Sequence, residues 1–189
     1  MILVVAAIFI IAPLTAYLVK NPLPPPSPPP SEAAKMSLVP SDIGANWYGE
    51  LHDNPTDPSG NYFDNATSHA KNLLWNGTTQ YGNPSYGVTI YLTCWKNFSY
   101  ANHSFESSQE TWARYFNASV NITLGDRTYL YYASYYKIYM GFLRGNIECL
   151  LFADGTFYGQ PWWIDSTIWI AQLQLDKIDQ YLAQHPGAS

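Results

Sequence analysis

IYMGFLRGNIECLLFA, residues Ile138 to Ala153, is dense in β-branched and aromatic residues and is interrupted once, by Gly145-Asn146. Such a composition favours strand over helix. The Gly-Asn pair is either the two-residue turn of a hairpin or a glycine bulge in one long strand. Either way the segment belongs to a sheet. Its neighbours read the same way: Tyr86 to Lys96 (YGVTIYLTCWK) is a strand, and so is Tyr129 to Tyr139 (YLYYASYYKIY). In the latter, Tyr132, Tyr135, Tyr136 and Tyr139 fit helical spacing, but β propensity and the preceding Gly125-Asp126 turn decide for strand.

Two helices are expected around this sheet. Ser107-Ser108-Gln109-Glu110 has the spacing of a capping box, followed by Trp112, Tyr115 and Phe116 on one face. Ile164, Ile168, Ala171, Leu175, Ile178 and Leu182 step by three and four, which predicts a core-facing helix from about Ser166 to Gln184. Asp165 or Ser166 would cap it and Pro186-Gly187 would stop it, with Gln172, Gln174 and Asp176 on other faces. Residues 53 to 85 are rich in Asn, Pro, Gly, Ser and Thr and read as loop, with one short helix near Ser68 to Trp75. The fold class is therefore α+β, an antiparallel sheet flanked by two or more helices.

Outside this domain the chain changes character. Residues 2–19 are uncharged and mostly aliphatic, and 18 helical residues rise about 27 Å, within the range of a membrane span. No Lys or Arg precedes the run and Thr15-Ala16-Tyr17-Leu18 is a poor cleavage sequence, so an uncleaved anchor over residues 1–20 is favoured over a signal peptide. Asn21 to Pro30 reads NPLPPPSPPP, a polyproline II stalk of roughly 30 Å. The expected organisation is an anchor (1–20), a Pro-rich linker (21–36) and one extracytoplasmic domain (37–189).

Composition excludes several function classes. A net charge of −5 with nine Lys+Arg argues against nucleic-acid binding. N-x-S/T occurs at Asn65, Asn76, Asn97, Asn102, Asn117 and Asn121. With 13 Asn among 189 residues, chance supplies about two such sequons. The excess points to an N-glycosylated domain outside the cell, and glycans would offset a charged fraction of only 12%. In that compartment Cys94 and Cys149, each on an expected strand, are candidates for a disulfide.

Reactive constellations are absent from the sequence. His52, His69, His103 and His185 have no metal-binding spacing, and no Walker, GxGxxG or GxSxG motif occurs. Asp53, Asp57 and Asp64 lack the EF-hand pattern. Arg144 and Glu148 flank the Gly-Asn turn and are expected to pair at the surface. Trp162-Trp163, after Pro161, either staple the last helix to the sheet or present rings to a sugar or partner pocket.

Several phrases resemble archaeal membrane-anchored surface proteins: Leu38-Val39-Pro40-Ser41-Asp42-Ile43-Gly44 with Trp47 after it, Gly125-Asp126 before a strand, Arg144-Gly145-Asn146, and a closing amphipathic helix. Their order over residues 38 to 182 is similar to the PsbP/Mog1-like α/β/α sandwich. The resemblance implies a fold and a location on the cell membrane, and no catalytic residue. The functional expectation is a non-enzymatic, cofactor-free, membrane-tethered extracellular domain that acts by protein–protein contact as an accessory subunit. Its alternatives are a self-assembling filament or coat subunit, and a carbohydrate- or substrate-binding module using Trp162 and Trp163.

Overall fold

Alternation of side chains across the pleat organises the domain: along each central strand one set of residues enters a large core and the other faces a second, smaller one. In the computed structural model, residues 30–53, 65–78, 84–116, 118–133, 137–155 and 162–186 are described. The elements run α1 (Glu32–Met36), α2 (Pro40–Ile43), β1 (Trp47–Asp53), β2 (Ala66–Thr78), β3 (Pro84–Trp95), α3 (Phe98–Tyr115), β4 (Ala118–Ser119), β5 (Arg127–Tyr132), β6 (Lys137–Arg144), β7 (Ile147–Gly155) and α4 (Trp162–Gln184). The strands form one antiparallel sheet in the order β1-β2-β3-β7-β6-β5-β4. Six strands are substantial and β4 has two residues. The expected α+β class with an antiparallel sheet and flanking helices is what the fold shows.

Gly145-Asn146 is a hairpin turn, not a bulge: β6 and β7 pair in register up to Arg144↔Ile147, and Gly145 sits at φ +58°. Chain order explains the sheet. The meander β1-β2-β3 grows one way, α3 crosses, and a second meander returns so that β7 zips onto β3.

One face of the sheet carries the main core. Val88, Ile90 and Leu92 of β3, Cys149 and Leu151 of β7 and Met140 and Phe142 of β6 meet Ile170, Ala171 and Ile178 of α4. All six residues of the predicted α4 stripe pack here. The helix begins at Trp162, before the expected caps, and ends at Gln184 as expected. Gln174, assigned above to another face, is fully buried: its Oε1 accepts from the Leu38 N–H at 3.0 Å and its Nε2 donates to the Met36 carbonyl at 2.7 Å. The domain starts earlier than residue 37, because Ala33, Ala34 and Met36 of α1 are in the same core.

Three further expectations are corrected. Residues 66–78 are a 13-residue strand rather than loop and short helix. Helix α3 starts at Phe98, with the Asn97 side chain accepting from Tyr100 N–H, so Ser107 is an interior residue. Cys94 and Cys149 are free, buried thiols. The register sets Leu92 opposite Cys149 and Cys94 opposite Ile147, so the cysteines are diagonal neighbours. Such neighbours are about 7–8 Å apart, beyond disulfide reach. Burial pushes the Cys94 thiol up to about 11 and raises the Cys149 thiol well above its ordinary value.

The apolar segment 2–19 and the proline stalk lie outside the described residues. Among the described residues no helix is long and apolar enough to cross a membrane.

Candidate functional site

Among the described residues, the second face of the sheet is covered only in part. The N-terminal half of α3 seals a small core in which Ala101 and Phe105 meet Trp95, Tyr129 and Leu143. Gly141 makes the fit possible, since a Cβ there would come within 2.5 Å of the Tyr129 ring. Further along, α3 and the sheet diverge around a cavity of about 370 Å³. Its wall on the helix is Ser104, Ser108 and Trp112, at i, i+4 and i+8 on one face. Its floor comes from alternate residues of three strands: His69 on β2, Thr89, Tyr91 and Thr93 on β3, and Glu148, Leu150 and Phe152 on β7.

Aromatic rings pack beside the cavity. Trp112 stacks on Tyr139 with centroids 4.1 Å apart and meets Phe152 edge-on at 5.5 Å. Phe152 is also edge-on to Tyr91 at 5.4 Å, and His69 stacks beside Tyr91 at 6.0 Å. These contacts place ring faces and edges around a mostly apolar space, as in small-molecule sites.

At the inner end lies Glu148, 3% exposed. Its Oε2 accepts from the Ser104 hydroxyl at 2.7 Å and from the Trp95 indole N–H at 3.2 Å. Its Oε1 is buried with no hydrogen-bond partner among the described residues. Burial pushes this carboxyl up to about 7, against the pull of the Ser104 and Trp95 bonds. The expected pairing with Arg144 is not made. Arg144 points to the opposite face, where its Nε donates to Asp179 on α4 at 2.6 Å and its Nη1 to Asp126 at 3.2 Å. Residues 144 and 148 are on adjoining strands but opposite faces, and an even offset along a hairpin turn does not preserve the side.

His69, expected in a loop, is on β2 with Nδ1 2.8 Å from the Thr93 hydroxyl. Tyr115, expected beside Trp112 on the buried face, is 72% exposed. Asn97 and Asn121 are exposed, while Asn65, Asn76 and Asn102 are half-buried. Asn102 donates to Glu106 at 3.1 Å and accepts from Arg127. Asn117 and the side chains of Trp162 and Trp163 lie outside the described residues. Asp53 accepts from the Ser31 N–H at 2.8 Å, and Asp57 and Asp64 lie outside the described residues. Among the described residues no group of three or more His, Cys, Asp or Glu is placed to hold a metal ion.

Sequence reasoning missed Glu148, Ser104 and His69 as site residues. One signal was there: Glu148 shares a strand face with Leu150 and Phe152, so an acid on an apolar face was legible once the alternation was followed.

No family profile matches this chain, and no curated protein matches it significantly. Among solved structures it is similar to the extracellular domain of PknH from Mycobacterium tuberculosis, with a TM-score of 0.56 and 10% identity over 80% of this chain and 98% of that one. At that identity the likeness shows a shared fold and transfers no residue role.

Proposed function

We propose that the chain is a non-enzymatic, membrane-tethered binding module displayed outside the cell, which takes a small ligand into the cavity between α3 and the sheet. The observation that carries this reading is the cavity itself: about 370 Å³, walled by aromatic rings and lined by a buried carboxyl with one oxygen unpartnered among the described residues. Residues 2–19 supply the anchor and residues 21–30 the stalk. The sequons at Asn65, Asn76, Asn97, Asn102, Asn117 and Asn121, as acceptors for N-linked glycans, and a fold shared with an extracellular domain support the location. The archaeal attribution rests on the sequence phrases alone.

A ligand-observed NMR screen of small aromatic fragments against the full chain tests this reading. Hits are expected on the parent protein and not on Trp112→Ala, which removes one wall. An empty screen, or hits unaffected by that change, would refute it.

A second reading, in which the module contacts another protein as an accessory subunit or packs against its own copies, draws on the uncovered end of the same sheet face. There Tyr48, 38% exposed, sits edge-on to Trp75 at 5.0 Å. Co-purification with a stoichiometric partner that Tyr48→Ala releases would favour it over the first.

A further inference from the structure

The chemistry of the cavity narrows the ligand class. This step rests on the proposed binding role and goes beyond it. A carboxylate taken out of water is costly unless it is paired and hydrogen-bonded. Glu148 has two neutral donors, both on Oε2, and no ion pair among the described residues. Among the described residues no Lys or Arg lines the cavity. Three basic groups on this face have other contacts: His69 Nδ1 is 2.8 Å from the Thr93 hydroxyl, Lys71 lies over the Tyr91 ring at 5.6 Å, and Arg127 pairs with Glu106 at 2.7 Å. An occupant that carries a positive charge would therefore favour the ionised form of Glu148 and give Oε1 a partner.

The walls point the same way. Tyr91, Trp112 and Phe152 surround the space with π-systems, whose faces attract cations and apolar groups alike. Ser108 and Thr93 add hydroxyls that can accept further N–H bonds. We infer that the cavity binds a protonated primary or secondary amine on an aromatic or aliphatic body, its ammonium group donating to Glu148 Oε1 and its body packed among Tyr91, Trp112 and Phe152.

Calorimetric titration of the full chain with benzylamine, 2-phenylethylamine and tryptamine, each beside the alcohol that replaces its ammonium group, tests the assignment. At least one amine is expected to bind tenfold or more tightly than its alcohol. Glu148→Gln, checked for cooperative unfolding, is expected to reduce that preference to less than twofold. If the alcohols bind as tightly as the amines, the amine assignment falls and the binding role stands. If Glu148→Gln leaves the preference intact, the amine assignment also falls. If neither series binds, the binding role falls and the amine assignment with it.

Discussion

Ser104 on α3 donates its hydroxyl hydrogen to Oε2 of Glu148 on β7 at 2.7 Å, and this bond joins the helix to the sheet at the inner end of the cavity. Both residues are buried, so the bond lies in a poorly solvated place where hydrogen bonds to a carboxyl group are strong. Replacing Ser104 by Ala leaves Trp95 as the carboxyl's remaining donor. The expected loss is about 1.5–3 kcal/mol, read from denaturant unfolding. The Glu148 carboxyl should also titrate higher than in the parent, because the Ser104 bond favours the charged form. A carboxyl ¹³C titration reads that shift.

Stability should depend on pH through the same group. Burial raises the Glu148 carboxyl from an ordinary 4.5 to about 7, so between those values the folded state holds a proton that the unfolded state has lost. Stability from this group is therefore greatest below about pH 4.5, falls as pH rises to about 7, and is constant above. The drop is on the order of 3 kcal/mol. Glu32, lowered chiefly by its bond from Lys35 and also by that from Tyr181, has the opposite slope on the acid side, and its exposure keeps that effect small. Glu148→Gln retains an acceptor for both donors, so the difference between variant and parent isolates the Glu148 contribution. It should grow in the variant's favour from pH 4.5 to 7. Parallel melting curves across that range would exclude a buried ionising Glu148.

Gly141 and Gly145 should respond differently to alanine. At Gly141 a Cβ meets the Tyr129 ring at 2.5 Å, and Tyr129 is itself pinned between the sheet and Phe105. Overpacking of that kind costs about 1–3 kcal/mol. At Gly145 nothing lies within 4 Å of the added carbon, and the cost of about 1 kcal/mol comes from placing a side chain at φ +58°. Guanidinium midpoints of both variants, with Tyr129→Leu added to each, separate the causes. The second change should relieve part of the Gly141→Ala penalty and none of that for Gly145→Ala.

Gln174 shows how far the sequence was legible. The α4 stripe was readable because Ile168, Ala171, Leu175 and Ile178 are apolar at helical spacing. Gln174 breaks that rule because it serves the chain's own backbone, holding the Leu38 N–H and the Met36 carbonyl. The same need hid β2. Ser68 and Asn72 face the core beside Ala70 and Leu74, and they bond the backbone of α1 and the segment after it: Ser68 accepts from Ala33 N–H at 3.1 Å and Asn72 donates to the Leu38 carbonyl. Polar residues on the buried face erased the alternation from which a strand is read. In α3 the local Ser107–Glu110 pattern masked the true cap ten residues upstream at Asn97. The cavity was not legible, because its floor is assembled from β2, β3 and β7, which only the tertiary register brings together.

Gln174→Leu should accordingly be costly despite its hydrophobic gain. It strands two buried backbone groups, each with a penalty of about 1–3 kcal/mol. Amide exchange at Leu38 should rise well above the variant's global unfolding rate, showing that α1 and its following segment loosen first. Unchanged protection at Leu38 would mean the Gln174 bridge does not hold that segment.

The cavity beneath α3 is proposed as a ligand site. The most direct measurement is a crystal structure of the full chain soaked with the fragments that bind in solution. Density is expected between Trp112, Tyr91 and Phe152, with a donor atom within about 3 Å of Glu148 Oε1. Fragments bound elsewhere, with the cavity still unfilled and Glu148 untouched, would contradict it.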